Sequence, residues 1–219
     1  MTKTTQAREV SPFDRIELHH SGELHLTQGD GHALTIEGDA ETVDRLKTEV
    51  RGGTLHLEVE GDWLDRIMRG FLSFGKDRVK YNVTLQTLRA LKVSGYGKVV
   101  LPALTTDQLE LTLSGYAQVD LGQLSTGTLK VTISGRGDLV AQGSADNLSV
   151  FVSGSGDVRT DRMASKAANV RISGHGNVDL WASDTLDVSV SGFGKVHYRG
   201  DPAVSQSISG GGRVAKMPD

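Results

Sequence analysis

Apolar and polar residues alternate in short runs along most of this chain, and the runs recur at matching offsets. Leu109, Leu111 and Leu113 precede a small polar turn, and Val119 and Leu121 follow it. The next sets are Leu129, Val131, Ile133 with Leu139, Ala141, then Leu148, Val150, Val152 with Val158. Val170, Ile172 with Val178, Leu180, and Leu186, Val188, Val190 with Val196, Tyr198, complete the series. Period-two alternation gives a strand one buried face and one wet face. Each unit therefore predicts two strands around a turn.

The turn is one repeated phrase. Ser-Gly-x-Gly stands at 94–97, 134–137, 153–156, 173–176, 191–194 and 209–212, and Ser114-Gly115-Tyr116-Ala117 lacks the second glycine. Successive serines are 20, 20, 19, 20, 18 and 18 residues apart. A fixed period of this size marks a solenoid whose coils stack. Leucine-rich repeats share the length but need a Leu/Asn signature that is absent, and propeller blades need a longer period. The expected fold is all-β: a parallel β-helix or β-solenoid with coils of about 18–20 residues. Seven coils at about 4.8 Å each predict a body roughly 33 Å tall.

Glycine's tolerance of positive φ predicts a sharp corner at each phrase. The serine is expected to fit a crowded inner corner and to bond the stacked backbone. Connectors such as 143–147 and 161–166 are expected to absorb the drift in period.

The first third of the chain is less regular. Phe13, Ile16, Leu18, Ser21-Gly22, Leu24 and Leu26 read as an early, degenerate copy of the repeat. A strand follows at 34–37. Val43 and Leu46, three apart, suggest a short helical turn within 40–48, with Asp39 as N-cap. Gly52-Gly53 turns into a strand carrying Leu55, Leu57 and Val59. Residues 61–78 break the pattern: Trp63, Leu64, Ile67, Met68, Phe71, Leu72 and Phe74 include helical steps of three and four. Three roles fit this apolar segment. It caps the end of the solenoid, it presents Trp63, Ile67, Phe71 and Phe74 to a partner or a second copy, or it lies on a membrane surface. The expected division is an irregular N-terminal β part over 10–80, with a short helical insertion at 61–78, and a regular array over 81–215.

Composition narrows the function. A net charge of −3 and a pI near 6.2 argue against a nucleic-acid binder. With no cysteine there is neither disulfide nor thiolate chemistry. No apolar run is long enough for an integral membrane segment. Residues 1–6 lack the apolar core of an export signal. Either the chain is cytoplasmic, or a signal peptide was removed and replaced by a bare methionine.

Chemistry is sparse. The residue after the second glycine position runs Lys98, Gln118, Asp138, Asp157, Asn177, Lys195, Arg213, too cationic a row for calcium. The x position runs Tyr96, Tyr116, Arg136, Ser155, His175, Phe193, Gly211. In register, it would line one edge with Tyr96, Tyr116, Arg136, His175 and Phe193. Those side chains either pack on their neighbours or form a strip that contacts a glycan or a surface protein. His19 and His20 should point to opposite faces, and His25, His32, His56, His175 and His197 read as isolated. No metal, cofactor or catalytic residue is expected. Asp120, Asp179 and Asp187 read as the polar face of strands. The Gly-x-Gly units lie between strands, not before a helix, so they are not phosphate loops.

The iterated Leu-x-Val-x-Val-Ser-Gly-x-Gly-x-Val leads to an ending, Val196-His197-Tyr198-Arg199-Gly200-Asp201-Pro202 and Ser207-Ile208-Ser209-Gly210-Gly211-Gly212. With Phe13-x-x-Ile16 and Leu24-His25-Leu26-Thr27-Gln28-Gly29 at the start, it resembles the bacterial family called putative auto-transporter adhesin, head GIN domain. The resemblance spans roughly residues 10–215. It implies a β-helix, export in bacteria and no established catalysis. Ala117 and the missing export signal depart from it.

The resulting expectation is a non-enzymatic bacterial envelope or surface solenoid for adhesion, glycan contact or self-assembly, extracytoplasmic if a signal peptide was removed. Open coil ends and a flat side favour a homo-oligomer. The alternatives are a polysaccharide-processing enzyme of β-helix type and a cytoplasmic polymerising scaffold.

Overall fold

The computed structural model describes residues 3–59 and 79–218. The segment that carries Trp63, Ile67, Phe71 and Phe74 lies outside the described residues.

The array is built as expected, in parallel register. Five long extended segments, β9 (Tyr96–Leu113), β10 (Tyr116–Ile133), β11 (Arg136–Val152), β12 (Ser155–Ile172) and β13 (His175–Val190), each trace one coil. They stack in sequence order, followed by β14 (Phe193–Arg199), β15 (Ala203–Ile208) and β16 (Arg213–Lys216). Equivalent apolar positions fall on one another: Leu109, Leu129, Leu148, Ala168 and Leu186 form one column. Leu113, Ile133, Val152, Ile172 and Val190 form another, and all ten are at most 3% exposed. Burying each larger side chain contributes about 1.5–3 kcal/mol. The columns thus hold the coils together along their whole height.

Two expectations are corrected here. Seven serines delimit six intervals, so the structure has about six turns and not seven coils. Nor is a coil two strands. In β9 the alternation slips phase at Pro102–Ala103 and again at Asp107–Gln108. With the Ser-Gly turn, that gives three corners and three sides. Most of the drift in period is absorbed beside the first of these corners. The register jumps between Leu121 and Gln123, between Val140 and Gln142, and between Thr160 and Ala164. A further jump follows between Ser165 and Ala167, at the next corner, so both jumps of this coil fall in or against the connector named from sequence over 161–166.

The corner glycines have a different reason from the one expected. None adopts positive φ; among the described residues only Gly52, Gly53, Gly143 and Gly200 do. What forbids a side chain is the coil below. A Cβ on the first glycine of each phrase, as at Gly115, Gly135, Gly154, Gly174 or Gly192, would collide with the carbonyl oxygen of the preceding first glycine. The amides explain the closeness. Ser134 N and Gly135 N both donate to Leu113 O, at 3.0 and 3.2 Å, and this sharing recurs coil after coil. The serines themselves point outward and are mostly exposed, not wedged in an inner corner.

The second glycine is less constrained at first. A Cβ at Gly97 or Gly137 would meet only side-chain carbons, Val93 Cγ1 at 2.7 Å and Leu113 Cδ1 at 2.8 Å. Ala117 occupies this position, 1% exposed. At Gly156, Gly176 and Gly194 the obstacle is backbone again: the oxygens of Gly137, Gly156 and Gly176 face them.

The N-terminal part joins the same sheet, out of sequence order. β1 (Lys3–Arg8) pairs antiparallel with β4 (Ala33–Asp39). β2 (Arg15–Leu18) and β3 (Gly22–Gln28) form a coil directly under the array: β2 lies against β8 (Ala90–Val93), and β3 against β9. The register sets Gly22 against Gly97. Hence His19-His20-Ser21-Gly22 underlies Ser94-Gly95-Tyr96-Gly97. The early copy is real but slipped by two residues, with His20 where the array has its first glycine.

The chain then leaves this coil. β4 leads into the single helical turn α1 (Ala40–Val43), capped by Asp39 accepting from Glu41 N at 3.2 Å. β5 (Leu46–Arg51) and β6 (Thr54–Val59) form a hairpin, with Gly52 and Gly53 both at positive φ as a tight hairpin turn requires. β6 runs parallel to β2 on its outer side, and β7 (Lys80–Leu85) parallel to β3. At Gly29 the coil ends early, and Gln28 replaces missing backbone. Its side-chain amide donates to Thr105 O and accepts from Thr105 N, at 2.9 and 2.8 Å.

Candidate functional site

Two surfaces of the array carry chemistry. The first is the predicted ladder at the Ser-Gly corner. Tyr96, Tyr116, Arg136, Ser155, His175 and Phe193 are paired in strict register. Tyr96 and Tyr116 stack with centroids 4.8 Å apart and planes 3° from parallel. His175 and Phe193 stack at 5.4 Å and 15°. Phe193, 62% exposed, also covers Gly211, where any Cβ would strike its ring. Ring faces are thus turned to one another along the solenoid axis, and the edges face solvent. Arg136 lies exposed between the two stacks.

The second surface went unnoticed in the sequence. An open groove of about 850 Å³ runs along the corner between the second and third sides. Thr105, Ser125, Ser144 and Ala164 follow one another in register along it, and Trp181 is next in the row. Each is small enough to leave the wall concave until Trp181, whose indole is 41% exposed, closes the row. The inner row, Thr106, Thr126, Ala145 and Ser165, is small for a packing reason. Thr126 Oγ1 donates to Thr128 O and Ser165 Oγ to Trp181 O, at 3.2 and 2.6 Å. Buried hydroxyls so satisfied by the protein's own backbone hold the groove floor in place. Asp146 and Lys166 pair across adjacent coils at 2.7 Å on the rim, and Arg89 lines the far end. The groove offers hydroxyls, backbone, a carboxylate, cations and one aromatic face. The signal available in sequence was the row of small residues at a constant offset broken by a tryptophan. It was hidden because the period shortens there.

The histidines divide. His20 faces inward: its Nε2 lies 2.7 Å from the Tyr81 hydroxyl, and burial pushes its pKa down to about 4. Burial likewise pushes the Tyr81 hydroxyl far up. Both groups are therefore neutral at pH 7. His32 Nε2 lies 3.0 Å from Phe13 O, and His197 Nδ1 lies 2.9 Å from Asp179 Oδ1. His19 points the other way from His20, as expected. His56 corrects the expectation of isolation. β6 lies beside β2, and the His56 and His19 rings stack 6.0 Å apart. Asp179, read as a solvated strand residue, is the partner of His197.

The row Lys98, Gln118, Asp138, Asp157, Asn177, Lys195 stacks in register, with Asn177 Nδ2 donating to Asp157 Oδ1 at 2.8 Å. No helix among the described residues is long and apolar enough to cross a membrane.

Known proteins match this architecture. A putative adhesin from Bacteroides fragilis is 25% identical, with a TM-score of 0.89 over 99% of this chain and 97% of its own. A putative adhesin from Parabacteroides distasonis is 20% identical, with a TM-score of 0.78 over the same shares. A putative lipid binding protein from the same species is 24% identical, with a TM-score of 0.73, again over 99% and 97%. No curated protein matches. The family model described as putative auto-transporter adhesin, head GIN domain, matches residues 12–202, nearly the whole solenoid. This chain belongs to that family.

Proposed function

We propose that the protein is a non-enzymatic adhesion module, working outside the cytoplasm, that holds an extended carbohydrate chain in the groove ending at Trp181. The observation that carries this reading is the groove: a fixed, hydroxyl-lined channel along several coils, closed by an exposed indole. An indole face covers the apolar face of a sugar ring, and rim groups such as Asp146, Lys166 and Arg89 bond hydroxyls. A rigid floor costs little ordering on binding. Kinship with adhesins supports the surface role. The ladder of Tyr96, Tyr116, Arg136, His175 and Phe193 is the weaker contact, since its ring faces already cover one another. It serves as an edge-on contact for a surface protein.

A glycan array probed with the intact protein tests this. Trp181→Ala is expected to lose at least about tenfold in apparent affinity, the loss of roughly 1.4 kcal/mol or more. Tyr116→Ala is expected to bind as the parent does. Equal binding by Trp181→Ala and the parent would reject the groove, and loss in Tyr116→Ala alone would move the site to the ladder.

A further inference from the structure

We propose that Glu17, His19 and His56, with Glu58 at the edge, form a binding site for one divalent transition-metal ion of the zinc class. The site arises from pairing. Glu17 and Leu18 on β2 lie opposite His56 and Leu57 on the parallel β6, and His19, just past the end of β2, continues the pairing by donating from its backbone N to Leu57 O at 3.1 Å. Leu18 and Leu57 point into the core, both 0% exposed. Alternation then throws all four polar side chains onto the outer face, as two acids and two imidazoles in a square.

The distances suit a small ion. His19 Nε2 lies 3.0 Å from Glu17 Oε2, His56 Nδ1 lies 3.7 Å from the same oxygen, and Glu58 Oε1 lies 3.9 Å from His19 Nε2. Around a tetrahedral ion with bonds near 2.0 Å, ligand atoms stand about 3.3 Å apart. All the ligand atoms of Glu17, His19 and His56 fall within 4.8 Å of one another.

The two nitrogens supply the independent sign. His19 Nε2 and His56 Nδ1 are both sealed from solvent, and neither makes an aligned hydrogen bond. A buried imidazole nitrogen without an aligned hydrogen bond is costly, and here two of them converge on one carboxylate oxygen. A metal ion satisfies both lone pairs at once. Two imidazoles with carboxylates form a borderline nitrogen–oxygen set, which favours zinc and its neighbours over calcium or magnesium. The surrounding charges balance: Lys92 lies 3.8 Å from Glu17 Oε1, and Arg51 lies 3.3 Å from Glu58 Oε1 and 3.5 Å from Glu49. An ion here ties β6, from the excursion, to β2, the coil beneath the array.

The test is titration of the full chain, free of any histidine tag, with Zn²⁺ by calorimetry and with Co²⁺ by visible absorption. The expected result is one ion per chain, tetrahedral Co²⁺ bands, and a rise in the unfolding midpoint with Zn²⁺. His19→Gln and His56→Gln should each weaken binding at least about tenfold, by the scale on which even outer-shell losses act. His25→Gln is the control, because His25 pairs with Glu23 at 3.6 Å on another side of the coil and has no second imidazole beside it. Circular dichroism reports whether each variant folds, and either glutamine variant alone suffices. No saturable binding by the parent at millimolar metal overturns the proposal. So does binding by a folded His19→Gln or His56→Gln variant as tight as the parent's.

Discussion

The coil made by β2 and β3 and the coil stacked directly on it turn the same corner with different residues. Above, the corner is Ser94-Gly95-Tyr96-Gly97; below, it is His19-His20-Ser21-Gly22. The upper one is glycine at its first position because the His20 carbonyl lies against it, where a Cβ would collide. The lower one carries a histidine at the same position, and its ring packs edge-on against Tyr81 from the layer beneath, centroids 5.7 Å apart. The comparison teaches what the glycine is for. It is needed where one coil's backbone sits directly on another's, and it is dispensable where a side chain fills the corner.

The largest effects should separate the second glycines of different coils by what each touches. Gly156→Ala drives a methyl into the Gly137 carbonyl, and backbone cannot give way without breaking the ladder. It should lose about 4 kcal/mol or more in urea unfolding, the range reserved for such failures. Gly97→Ala at the equivalent position meets only side-chain carbons, of Val93 and Leu18, and should lose about 1–2 kcal/mol. Equal losses would mean that the corner obeys some constraint other than stacked backbone.

The lower corner has its own signature, in pH. The pKa of His20 is pushed down to about 4 from an ordinary 6.5, first by burial and further by the neighbouring His19 charge, against a backbone bond to Ser21. Below about 6.5 the unfolded chain takes up a proton that the folded chain refuses. Stability contributed by neutral His20 is thus fully present above that pH and is lost as pH falls toward 4. The loss is on the order of 3 kcal/mol. Urea midpoints measured from pH 7 to pH 4 should show it. Replacing His20 with Gln should flatten that part of the profile, and an unchanged slope would place the acid sensitivity elsewhere.

Gln28, which stands in for backbone where the lower coil stops, should matter less. Gln28→Ala removes two hydrogen bonds to Thr105 at an exposed edge where water can substitute. The expected cost is about 1 kcal/mol, with faster hydrogen exchange at Thr105 N–H and at few other amides. Ala117→Gly should be smallest. It restores the repeat's own residue at a buried site and should cost about 1 kcal/mol or less.

The array was legible because its physics repeats. The offsets of Leu109, Leu111 and Leu113 recur, so a single alternation read once applies to every coil. The ladder from Tyr96 to Phe193 followed from register alone. The three-sided section was not legible, because a phase slip at Pro102–Ala103 resembles ordinary noise in one copy. The groove depends on which small residues face outward at a corner whose length varies between coils. The Glu17–His19–His56 cluster was hidden for a different reason. β2 and β6 are parallel neighbours although 39 residues separate paired positions such as Glu17 and His56, and no local pattern announces such a pairing. What the sequence did carry was the matched Glu-x-His and His-x-Glu, each on one strand face.

One paired measurement bears most directly on the stacked-backbone account of the Ser-Gly-x-Gly corner. Gly135→Ala and Gly137→Ala add the same methyl two residues apart, one against the Gly115 and Ser114 carbonyls, the other against Leu113 Cδ1 at 2.8 Å. Neither glycine has positive φ, so conformational preference does not distinguish them. Urea unfolding of the two proteins should show cooperative folding kept in Gly137→Ala, at a cost of about 1–2 kcal/mol, and lost or shifted by about 4 kcal/mol or more in Gly135→Ala. Equal destabilisation, or the reverse order, would contradict the account.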